Sequence, residues 1–65
     1  MKYKVNISVR DAFKDRPEFP DFIEFFDNRI AALRFAREEC KWESTKEAVV
    51  SSDDGLFEIT FNGEF

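Results

Sequence analysis

The segment FIEFFDNRIAALRFAREEC, residues 22–40, constrains the fold more than any other because its character changes halfway along. Its first five residues are aromatic or β-branched around one Glu, a composition that suits a strand. From Asn28 onward it is rich in Ala, Leu, Arg and Glu, which are strong helix formers. Read as one long helix, it would place Phe22, Phe26, Ile30, Leu33, Ala36 and Cys40 on one side. That reading buries Asp27 and Asn28, two residues that prefer caps, in a helix interior. The other reading ends a strand at Phe26 and makes Asp27 the N-cap, where a carboxylate meets free amides and the positive end of the dipole. We adopt strand followed by helix. Lys41 then lies near the helix end, where a cation is favoured.

The rest of the chain supplies three more strands. Tyr3, Val5, Ile7 and Val9 alternate with Lys4, Asn6, Ser8 and Arg10, a period of two with β-branched residues on one side. DAFKDRPEFPD breaks that period, and Pro17 and Pro20 push the residues before them toward extended geometry, so this stretch reads as a loop. KEAVVSS and LFEITF read as strands joined at DDG, because Gly55 can adopt positive φ without a side-chain clash. The sequence therefore predicts a single α+β domain over 1–65. Its order is β-β-α-β-β, with one helix packed on one face of a four-stranded antiparallel sheet. The inward set on this reading is Val5, Ile7, Val9, Ile23, Phe25, Leu33, Ala36, Cys40, Val50, Phe57, Ile59 and Phe61. Ala32 and Ala36 are small enough to let the helix approach the sheet, leaving the rings to fill its flanks.

Several functions are disfavoured by what the chain lacks. There is no His, which removes the commonest general base and the commonest metal ligand. The lone Cys40 has no partner for a disulfide and groups with Leu33 and Ala36, so it reads as a buried structural thiol. Asp53 and Asp54 lack the spaced ligand series of a calcium loop and read as turn residues. Gly55 and Gly63 both lie in the C-terminal hairpin region, too far apart for a phosphate-cradling loop. No catalysis and no cofactor are expected. No apolar run of about 18 residues exists, so no membrane partner is expected either, and a cytoplasmic location is the default.

What remains is surface chemistry. Net charge is −4 but patchy: three cations in 1–10, six acids against two bases in 11–28, four bases against two acids in 29–41, and six acids against one base in 42–65. A single helix covers one side of a sheet, so the other side meets solvent or a partner. On the strand reading Phe22 and Phe26 flank Glu24 on that uncovered side and resemble interface anchors. Their alternative placement is around the sheet edge or at the helix base. Arg34, Arg37 and Lys41 form a basic stripe on the outer helix face, either a solvated surface or a rim for an acidic partner or a nucleic-acid backbone. A protein-binding module using Phe22, Glu24, Phe26, Arg34, Arg37 and Lys41 is the leading expectation. Direct nucleic-acid binding through the helix bases, Lys2, Lys4 and Arg10 is the second. Self-association as a homodimer, by an edge strand or the open sheet face, is the third.

Short acidic chains of this pattern resemble phage-encoded inhibitors, including several anti-CRISPR proteins. The segment IEFFDNRIAALRFAREEC (23–40) is similar to the strand–cap–helix core of one such type: Ile23 and Glu24 in a strand, a cap near Asp27, then Ala31, Glu38 and Cys40 closing the helix. The resemblance carries over no functional residue. It implies a mode of action, the occupation of a site on a larger host protein or ribonucleoprotein complex.

Overall fold

The computed structural model describes all residues, 1–65. Four strands and one α-helix follow one another as β1 (Tyr3–Val9), β2 (Phe22–Phe26), α1 (Arg29–Glu39), β3 (Thr45–Ser52) and β4 (Glu58–Asn62), with a 3-10 turn at Asp11–Phe13. The strands form one antiparallel sheet in the order β2-β1-β3-β4, an α+β architecture. Since β2 and β3 are both antiparallel to β1, they run parallel to each other on its two sides. Parallel strands need a long crossover. The helix is that crossover.

Alternation decides which side of the sheet α1 packs against. Tyr3, Val5, Ile7 and Val9 are buried, while Lys4 and Asn6 between them are exposed. Val5 lies opposite Val50 and Ile7 opposite Ala48, so the two central strands turn the same apolar rows to one side. Against those rows sit Ala32 and Ala36, both 0% exposed. Two alanines one helical turn apart bring the backbone of α1 close to β1 and β3, leaving no room for a ring between them. None of the nine Phe belongs to the buried core; Phe22, Phe26, Phe35, Phe57 and Phe61 pack around its margin. At the margin Arg29 lies over the Phe57 ring at 4.4 Å and over Tyr3 at 5.6 Å, and its Nε donates to the Tyr3 hydroxyl at 3.3 Å. These contacts hold a cation at the helix N-terminus, where the dipole alone would disfavour it.

The helix begins one residue later than the cap chemistry suggested. Asn28, not Asp27, is the N-cap: its backbone is extended (φ −127°, ψ 129°) and its side chain accepts from the Ala31 N–H at 3.1 Å. Both residues suit a cap. Asp27 instead pairs with Lys2 at 3.1 Å, across the adjacent end of β1.

A larger correction concerns β2. Phe22 lies opposite Ile7, Glu24 opposite Val5 and Phe26 opposite Tyr3, so all three turn to the helix side. Ile23 and Phe25, expected inside, face away at 46% and 62% exposure. A one-residue change of parity flips every side chain of a strand. FIEFF carries large apolar residues at both parities, so alternation alone could not choose. Phe35 decides it: its ring meets Phe22 at 6.3 Å and Phe26 at 5.2 Å, closing the gap between α1 and β2. Ile59, also expected inside, is on the helix side but 39% exposed, because α1 packs over β1, β3 and β2 and leaves β4 beyond its flank.

The segment after β4 is tied down by backbone contacts. The Gly63 N–H donates to the Lys46 carbonyl at 2.8 Å, and the Glu64 N–H donates to the Cys40 carbonyl at 3.0 Å. A Cβ at Gly63 would collide with the Thr45 carbonyl oxygen, so a side chain is excluded there.

The β2 parity makes a direct prediction for stability. Phe26→Ala should cost about 2 kcal/mol, less than the loss for a fully buried Phe because the ring is only half-buried. Phe25→Ala should change stability by no more than about 0.5 kcal/mol. Urea unfolding of the two variants measures both; a larger loss at Phe25 contradicts the register.

Candidate functional site

The open side of the sheet is built from the alternate residues of all four strands. One row across it reads Phe25, Lys4, Ser51, Glu58, and the next reads Ile23, Asn6, Val49, Thr60. Ile23 and Phe25 form an exposed apolar pair at the β2 edge, while the half-buried Val49 lies on β3, beyond Lys4 and Asn6 of β1. Polar and charged groups border the pair, with Lys4 on one side and Glu58 and Thr60 beyond. At one end Lys2, Lys4, Phe25, Ser51, Ser52 and Asp53 enclose a depression of about 270 Å³. An aromatic ring on a flat pleated surface, ringed by groups of both signs, has the composition of a protein contact rather than of a pocket for a small molecule.

The outer face of α1 is the second surface. Arg34, Arg37 and Lys41 are all exposed and come together, as their spacing in the sequence required. Lys41 Nζ binds Glu38 Oε1 at 3.3 Å, whereas Arg34 and Arg37 form no ion pair within the chain. With Ile30, Leu33 and Glu38 these bases line an open depression of about 430 Å³. Ile30, at the end of it nearest the helix N-terminus, is 66% exposed. It lies about half a turn from the buried Ala32, on the side away from the sheet.

The six residues singled out from the sequence therefore do not form one site. Phe22 and Phe26 are under Phe35 on the helix side, and Glu24 lies exposed between them at the sheet margin. Arg34, Arg37 and Lys41 look outward from the helix, on the opposite side of the molecule from Ile23 and Phe25. Anchors and basic rim cannot contact one flat partner together. Ile23 and Phe25 are the surface residues that the sequence does not reveal, because FIEFF is apolar at both parities and the observed one is the reverse of that expected. Nothing in FIEFF alone could have corrected that.

A third feature is a small apolar groove of about 220 Å³ where Phe19 and Pro20 of the first loop approach Val9, Phe22 and Trp42. Glu39 lines it too, and burial pushes its carboxyl above the usual range, offset in part by a hydrogen bond with the Trp42 side chain. The loop has its own brace: Phe13 and Phe19 stack edge-on at 5.1 Å, and Asp21 Oδ1 accepts from the Val9 N–H at 2.8 Å.

Cys40 is 2% exposed, and its Sγ donates to the Phe61 carbonyl at 3.5 Å. Burial, and then the nearby Glu64 carboxylate, raise its pKa, so the reactive thiolate is suppressed. In native protein the thiol should react with a disulfide reagent far more slowly than in urea. Equal rates in the two states would contradict its burial.

Asp54 organises the β3–β4 turn. Its carboxylate accepts from the Ser52 hydroxyl at 2.5 Å and from the Leu56 N–H at 3.0 Å, while Gly55 turns the chain at φ +76°. These bonds, the Ser52 hydroxyl first, hold the Asp54 carboxyl below the usual Asp range. A carboxyl lowered by folding contributes stability at pH values above its unfolded pKa, about 3.9, and loses it as pH falls through the native value. Asp54→Asn should therefore shallow the acid-side loss of stability below about pH 4, read from urea midpoints against pH. An unchanged slope would remove Asp54 from that role.

Compared with family models, curated proteins and solved structures, the chain finds no match, so its surfaces have to be read from their own chemistry.

Proposed function

We propose that this protein is a non-catalytic binding module that docks on a larger protein through the open side of its sheet. Its anchors are Ile23 and Phe25, with Lys4 and Asn6 of β1 as their polar border and Val49 beyond. The observation that carries this reading is the 62% exposure of Phe25 next to a 46% exposed Ile23, on a sheet whose other side already holds the core. Single exposed apolar residues are ordinary. An adjacent aromatic and β-branched pair at one edge of a flat face is less so, and aromatic side chains dominate the energetics of protein contacts. The likeness of residues 23–40 to phage-encoded inhibitors supports a host complex as the partner, blocked by occupation rather than by chemistry. A cytoplasmic setting suits that role.

A second reading is favoured by the unpaired Arg34 and Arg37 on the outer helix face, which with Lys41 could meet a nucleic-acid backbone or an acidic segment of the partner. The net charge of −4 weighs against nucleic acid as the main ligand. If phosphates were the contact, binding of DNA or RNA would weaken steeply with added salt.

Affinity capture from the native host, quantified by mass spectrometry, separates these readings. The Ile23→Ala, Phe25→Ala double variant should lose the proteins that the unaltered chain retains, while still unfolding cooperatively on heating. Arg34→Glu with Arg37→Glu should retain them. The reverse pattern would transfer the function to the helix face.

A further inference from the structure

The two edges of the sheet are treated differently. β2 carries Glu24 at its centre on the helix side, a charge turned inward on an edge strand. Such a charge blocks pairing with another strand. Self-pairing about the middle of β2 would set Glu24 against its own copy, with Asp21 and Asp27 adding acid at both ends. That edge is guarded.

The β4 edge has no such guard. The Phe57 carbonyl accepts from the Ser52 N–H at 3.0 Å and the Gly63 N–H donates to Lys46 at 2.8 Å, so odd-numbered residues of this segment turn their backbone groups toward β3. By the alternation of an antiparallel ladder, Glu58, Thr60 and Asn62 turn theirs outward to water. On the helix side β4 presents Ile59 and Phe61, with Phe57 just before them and no charge among the three, and α1 does not cover Ile59.

We propose that β4 pairs with β4 of a second copy of this chain, antiparallel and centred on Thr60, joining two sheets into one. In that register Thr60 faces Thr60, Glu58 faces Asn62 and Ile59 faces Phe61. Every outward N–H and C=O of the three edge residues gains a partner. No like charges oppose one another, whereas a register centred on Glu58 would set acid against acid. Ile59 and Phe61 of the two copies meet in the trough between the two helices, which is the apolar area left bare in one copy alone. An ordinary stable interface buries about 800 Å² per partner. A five-residue strand is only about 17 Å long, so the pairing is reversible and assembles with rising concentration. It uses neither Ile23 nor Phe25 and leaves the proposed docking face free.

Sedimentation of the full chain from low micromolar to near-millimolar concentration tests this. The unaltered protein should pass from its 7.7 kDa monomer toward twice that mass. Thr60→Pro deletes only an outward N–H, a change that edge strands tolerate. Ile59→Lys places on β4 the inward charge that β2 already has. Each should raise the dimer dissociation constant at least about tenfold. Circular dichroism melting shows whether each variant folds; should the proline variant fail, Ile59→Lys carries the test alone. A monomer throughout the range, or a dimer that survives every folded variant of the two, overturns the proposal. So does a dimer abolished by Ile23→Ala with Phe25→Ala, which would place self-association on the open face.

Discussion

The seating of α1 on the two central strands is the contact on which the rest of this structure depends. Ala32 and Ala36 allow the helix backbone to lie directly against Val5, Ile7, Ala48 and Val50. That closeness gives a dry centre built from small and medium side chains. It also expels the rings, which must pack at the flanks: Phe22, Phe26 and Phe35 on the β2 side, Phe57 and Phe61 on the β4 side. A chain of 65 residues buries only about 60% of its unfolded surface, so a narrow core with an aromatic margin is a natural solution.

From that seat the surfaces follow. Because Phe35 recruits Phe22 and Phe26, β2 has to send Ile23 and Phe25 to the other side. Because the helix is centred over β1 and β3, its basic outer face points away from the sheet and β4 lies beyond its shelter. The open face, the outer helix face and the β4 edge are thus three separate surfaces, each set by one packing decision. A partner that engages one need not compete with another.

Much of the fold was legible in the sequence. Strict alternation from Tyr3 to Arg10 specified β1 and its buried side, the change of composition after Phe26 separated strand from helix, and Asp54-Gly55 marked the hairpin. The small residues Ala32 and Ala36 indicated how the helix would sit. The parity of β2 was not legible, because FIEFF is apolar at both phases and its only charge, Glu24, reaches water from the helix side by lying at the sheet margin. Choosing between phases required knowing that Phe35 would stand over that strand, a tertiary fact. The cap was misplaced by one residue for a related reason: Asp27 and Asn28 are equally good caps, and Lys2, remote in sequence, engages the first of them. Among the site residues, the basic stripe on α1 was readable from helical spacing, while the apolar anchors depended on the parity that the sequence left open.

Nuclear Overhauser contacts from the Phe35 ring test the central packing most directly, since this ring fixes both the core margin and the open face. The account predicts contacts with the rings of Phe22 and Phe26 and none with Ile23 or Phe25, together with contacts from the Ala32 and Ala36 methyl groups to β1 and β3. Contacts from Phe35 to the Ile23 methyl groups or the Phe25 ring would show the opposite parity and contradict it.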